Sequence, residues 1–60
     1  MASRAKQLAL ARELSELWDD NEEMMGEMAA YNVSCEQLGI DPDEGWDLLA
    51  LLEEEQDAEA

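Results

Sequence analysis

Histidine, phenylalanine and threonine are absent from this 60-residue chain, and cysteine and proline each occur once. Each absence excludes something. A lone Cys35 cannot form an intramolecular disulfide, and without histidine no thiolate or imidazole metal cage can form from one chain. With no histidine, no nucleophile with a plausible base and no pocket-sized core, no enzyme activity and no cofactor are expected. Strand signals are missing too: one Val, one Ile and no period-two alternation. No apolar run approaches the ~18 residues that would span a membrane. The N-terminus has basic residues but no separate apolar stretch and no small-residue cleavage site, which makes a poor secretory signal. The expected location is the cytoplasm, where a single thiol stays reduced.

Basic residues are also scarce. Arg4, Lys6 and Arg12 are all there are, and all lie in the first twelve positions. The 17 acidic residues follow them, from Glu13 to Glu59, for a net charge of −14. A field of one sign repels nucleic acid and anionic membrane and attracts basic protein surfaces. A chain this short has a marginal core, and self-repulsion among carboxylates works against compaction. The apolar content of 47% nevertheless exceeds that of a disordered acidic tail. The expectation is one small acidic helical domain over 1–60, with 56–60 as a frayed tail.

What is present reads as all-α. Leu10, Leu14, Leu17, Asn21, Met24, Met28 and Tyr31 are spaced 4, 3, 4, 3, 4 and 3, a heptad seam with one polar member. The spacing predicts a long N-terminal helix from about Ser3 to Tyr31, ~42 Å at the α-helical rise. Asp19-Asp20-Asn21 is the place where it would kink, or break in the rival reading, since these residues suit a cap better than an interior. Ser34 with Gln37 suggests a capping box for a one-turn helix near 34–38, and Gly39 its stop. Asp41-Pro42-Asp43-Glu44 is the strongest local signal: an N-cap, a proline at the first helical position and a possible capping box. The helix that follows carries Trp46, Leu48, Leu49, Leu51 and Leu52 on more than one face. It is expected to fold back on the stripe of 10–28 as a helical hairpin. Antiparallel return would let Arg4, Lys6 and Arg12 pair with the acidic tail from Glu53.

Several constellations fail on inspection. Residues 34–52 outline a helix-turn-helix, but the second helix carries only acidic charge, and phosphate neutralisation is what drives DNA binding. The outline is therefore an αα-corner. Counted from Asp41, a calcium loop would need an oxygen ligand, a glycine and a glutamate where Gly45, Trp46 and Leu52 stand. Asn32-Val33-Ser34 matches a sequon and is better read as a helix end and cap. Cys35 reads as a small packed residue, with nothing basic near it to activate a thiolate. With Asn21 at a heptad core position, the flanking positions are Glu13, Asp20 and Glu27 on one side and Ala11, Trp18 and Met25 on the other. That pattern gives a homodimer no ion pairs and suits internal packing or a basic partner.

Three functional expectations remain. The first is a small acidic interaction module, an inhibitor, adaptor or assembly factor, that docks on a basic protein surface. Compact acidic chains of this kind suit a phage or mobile element, which would place it in a host cytoplasm. Its apolar anchors are Trp18, Met25, Trp46 and Leu51, and its steering charges Glu22, Glu23, Asp43 and Asp47. Met24, Met25 and Met28 near Gly26 could add a soft patch rimmed by Glu22, Glu23 and Glu27, although Met24 and Met28 also fit the core. The second is a nucleic-acid mimic in the groove of a DNA or RNA enzyme, its carboxylates replacing phosphates spaced ~1.7 Å along a duplex. The third is a self-associating structural helical protein, a homo-oligomer held by the seam. Salt adaptation is a non-functional source of the same acidity.

Overall fold

The computed structural model describes the backbone of residues 3–59 and the side chains of residues 3–56. Three helices account for nearly all of it: α1 (Arg4–Met25), α2 (Glu27–Leu38) and α3 (Pro42–Glu59). Both later helices fold back on α1, which is the central element. Trp18 meets Tyr31, and Leu14 packs with Tyr31 and Cys35, so α2 folds back across α1. Trp18 meets Trp46, Ala11 meets Leu48 and Leu52, and Arg4 meets Glu55, so α3 is antiparallel to α1. The molecule is a slab of 31 × 28 × 15 Å.

Local chemistry sets the boundaries. Ser3 caps α1, its hydroxyl accepting from the Lys6 N–H at 3.2 Å. The helix passes unbroken through Asp19-Asp20-Asn21 and stops at Gly26, not near Tyr31. The break of the rival reading at 19–21 does not occur, because the poor helix formers there are accommodated. Asp19 and Asp20 face solvent, and the Asn21 amide donates to the Ser34 hydroxyl at 3.0 Å. Gly26 adopts φ 88°, ψ 165°, which a side chain disfavours. Its N–H donates to the Glu22 carbonyl and its own carbonyl accepts from Ala30 N–H, so one residue ends α1 and starts α2. Residues 34–38 are helical as expected. They belong, however, to a 12-residue helix that starts at Glu27, and Ser34 is a fully buried interior residue instead of a cap.

Gly39 closes α2 in the left-handed conformation at φ 70°, ψ 31°. Its N–H donates to Glu36 O at 3.1 Å, and the Ile40 N–H reaches back to Cys35 O at 2.9 Å. That paired pattern satisfies the last carbonyls of a helix. Ile40 then turns inward and packs against both apolar clusters. Pro42 opens α3 as expected, with Asp43 N–H directed at the Asp41 carboxylate at 3.4 Å. Of the expected tail at 56–60, helical backbone continues through Glu59, and Ala60 lies outside the described residues.

The core has two parts. Ala11, Leu48 and Leu52 form one, flanked by Leu8, Leu10 and Ile40. Leu14, Tyr31 and Cys35 form the other, flanked by Trp18, Leu38, Ile40 and Leu49. Of the seam leucines, Leu10 packs on the α3 leucines as expected, whereas Leu14 is enclosed chiefly by Tyr31 and Cys35 of α2 with Leu49 of α3 alongside. The methionine half of the seam is not covered: Met24 is 85% exposed and Met28 65%. Trp46, near the start of α3, is level with Trp18, so Met24 lies beyond the reach of α3, and the turn at Gly26 puts Met28 on α2. Where α3 crosses α2, Gly45 is buried against Tyr31, whose hydroxyl donates to the Pro42 carbonyl.

Candidate interaction surface

All three aromatic residues of the chain meet at one place. Tyr31 and Trp46 stack with centroids 4.3 Å apart and planes 20° from parallel. Trp18 stands edge-on to both, at 5.0 Å from Tyr31 and 5.6 Å from Trp46. Such contacts add about 0.5–1.5 kcal/mol each beyond area burial. The Trp18 indole also donates to the Glu27 carbonyl at 3.0 Å, tying α1 to the first residue of α2. Tyr31 is buried, Trp18 half-buried, and Trp46 remains 47% exposed. Burial pushes the Tyr31 phenol well above its ordinary range. The adjacent Cys35 side chain and the charges of Asp43 and Asp41 push the same way.

The exposed side of this cluster opens into a groove between α1 and α3. Its volume is about 500 Å³, and its walls include Ser15, Trp18, Trp46, Ala50, Glu53 and Gln56. A second depression of about 390 Å³ shares Ser15 and Trp18 as a common wall and adds Glu16, Asp19, Glu22 and Glu27. Spacing explains the alignment. Ser15, Trp18, Glu22 and Met25 follow at 3, 4 and 3 along α1, and Trp46, Ala50 and Glu53 follow at 4 and 3 along α3. The two depressions adjoin at Ser15 and Trp18 as one channel that starts between α1 and α3 and ends beside Glu22 of α1 and Glu27 of α2; Met25 lines neither part.

The structure divides the expected anchors and charges among three places. Trp18 and Trp46 come together in the channel, with Glu22 at its acidic end. Met25 and Glu23 lie exposed at the tip of the α1–α2 hairpin. Asp47 and Leu51 line a separate groove on the opposite side of α3, with Gln7, Leu10, Glu44 and Leu48. Asp43 is exposed at the start of α3 and lines none of these three. Sequence reasoning did not place Met24 and Met28 among the anchors, yet they are the most exposed large apolar side chains. The signal was Gly26: a glycine inside a helical period marks a possible end of the period.

Charge pairing is sparse. Among the described residues the one ion pair is Arg4–Glu55, at 2.8 Å, joining the two ends of the chain as the antiparallel return requires. No acidic residue from Glu13 to Glu54 has an ion-pair partner among the described residues. The placement on α1 runs against its dipole. Its first turn holds Arg4 and Lys6, while its last turn holds Glu22 and Glu23 and no basic residue. Each such misplaced charge costs about 0.3–1 kcal/mol. Among the described residues no three acidic or thiol groups converge as metal ligands do, and no helix is long and apolar enough to cross a membrane. The chain matches no protein-family model, and no curated protein or solved structure is found similar to it.

Proposed function

We propose that this protein is a small acidic interaction module that docks on a basic protein surface. The observation that carries this reading is the company its exposed apolar residues keep. Met24, Met25 and Met28 surround the Gly26 turn, Trp46 stands open beside Trp18, and carboxylates without ion partners flank each group. An apolar centre inside a rim of one sign is what a complementary basic interface needs. Methionine adds a soft surface that can adapt to its partner. Glu22 and Glu23 point to the same use, because at the C-terminal end of α1 they oppose folding. Carboxylates that weaken their own helix are accounted for by what they attract.

Affinity capture with the full chain, beside a Glu22→Gln/Glu23→Gln variant, tests the reading. The expected result is one or a few basic proteins held by the parent, eluted by salt and depleted from the variant eluate. Equal capture by the two, or capture that salt does not reverse, contradicts it. Adding duplex DNA or RNA to the captured complex separates the versions. Competition would make the partner a nucleic-acid enzyme and this chain a mimic of its substrate.

A further inference from the structure

The aromatic channel has a more specific chemistry than an acidic surface at large. Its lining combines two indoles with Leu49 and Leu52, carboxylates stand toward both ends, and no residue lining either depression is basic. Stacking on Tyr31 covers one face of Trp46, and the residue remains 47% exposed in the wall of the groove beside Trp18. Open indole flanked by negative charge attracts a cation over its face, and more strongly where water is partly excluded. A planar guanidinium both stacks on indole and pairs with carboxylates, which an ammonium does less well. Apolar ligands would leave the carboxylates without partners, and phosphate-bearing ones would be repelled.

We propose that the channel that runs from the α1–α3 groove past Trp18 to Glu22 and Glu27 receives an arginine-bearing segment of the basic partner. One guanidinium lies on the Trp46–Trp18 surface, and further cations of the segment meet Glu53 at one end and Glu22 and Glu27 at the other. This inference rests on the docking reading above and assigns its centre. The two depressions share the Trp18 wall, so one continuous segment can occupy both. The methionine tip then serves as an adjoining contact, since Met25 continues the α1 row beyond Glu22.

The test is a titration of the full chain with hexa-arginine, and separately with hexa-lysine, at low ionic strength. The readouts are the indole N–H resonances of the two tryptophans and the methyl resonances of Met24 and Met28. The expected result is a saturable shift of both indoles, with hexa-arginine bound at least about threefold more tightly than hexa-lysine, since only a guanidinium both stacks and pairs. Trp46→Leu should weaken hexa-arginine about fivefold, the scale of one exposed cation–π contact. Trp46 also packs on Tyr31, so Glu53→Gln provides a second variant at an exposed position, expected to weaken binding while leaving the melting curve in place. Methyl shifts with unmoved indoles would overturn the channel assignment and leave the docking reading standing. No saturable shift anywhere would remove both. Indole shifts that follow protein concentration without peptide would put a second copy in the channel and overturn the proposal.

Discussion

The Tyr31 phenol occupies the space that a β-carbon on Gly45 would need. A Cβ built there overlaps the phenol oxygen and lies 2.9 Å from the Cys35 sulfur. Gly45 is helical and has ordinary backbone angles, so propensity alone favours alanine by about 1 kcal/mol. Overpacking costs about 1–3 kcal/mol and opposes that gain. The crossing of α2 and α3 therefore depends on the missing side chain. Gly45→Ala is expected to lower stability by up to about 2 kcal/mol in denaturant melts, the overpacking less the propensity gain. Part of the loss should be recovered in a Tyr31→Phe background, where the phenol oxygen is gone. A Gly45→Ala protein more stable than its parent would mean the helices do not cross here.

Tyr31 should also make the fold sensitive to alkali. Burial raises its folded pKa above the ordinary value of 10.0, because the neutral phenol is what packs and donates to Pro42. A folded pKa raised above the unfolded one gives stability that is fully present below the unfolded value. That stability is lost as pH rises from about 10 through the folded pKa. Stability should be flat with respect to this group at neutral pH and fall from pH 10 upward. Tyr31→Phe should flatten that alkaline slope, at a cost of about 1 kcal/mol at neutral pH for the lost hydrogen bond. Melting curves of the two proteins across the alkaline range are the check.

Asn21 provides a third expectation. Its amide reaches the fully buried Ser34 hydroxyl, so the polar member of the seam is used within the monomer. Asn21→Leu should cost about 1–2 kcal/mol by removing the partner of a buried hydroxyl. It should leave the sedimentation behaviour unchanged. A new oligomer, or a shift in an existing one, would show that Asn21 faces another chain.

The residues that were legible from sequence are those whose local chemistry is decisive. Pro42 after Asp41 starts a helix, Gly39 stops one, and the leucines at 10, 14, 48, 49 and 52 pair by their period. The end of α1 at Gly26 is harder to read, because Asp19-Asp20-Asn21 resembles a break in isolation and Gly26 lies inside the helical period. Asn21 is stabilised only by Ser34, 13 residues away, and that contact exists only after the chain has turned at Gly26. The methionines share this cause. Their period is helical, but which residues a helix buries depends on where its partner ends. The aromatic channel was half legible. Trp18 and Trp46 were both expected as anchors, but their apposition depends on the antiparallel return of α3 and on Gly45 leaving room for Tyr31 beside them.

Glu22 and Glu23 should show opposed effects on folding and binding. Replacing both by glutamine removes like charges from the C-terminal end of α1 and is expected to raise stability by about 0.3–1 kcal/mol per residue. The same change should weaken capture of the basic partner. A variant that loses stability, or binds as well as its parent, would remove these residues from the interface. Salt should likewise raise the thermal midpoint of the parent, since it screens repulsion within an acidic body that carries a net charge of −14.

The central claim, docking on a basic protein surface, is tested most directly by the association rate with the captured partner as a function of salt. Opposite fields accelerate encounter at low ionic strength, and screening removes the acceleration. The predicted result is an association rate that falls at least tenfold between about 10 mM and 500 mM salt, with a weaker complex surviving on its apolar contacts. A rate unchanged across that range would contradict the account.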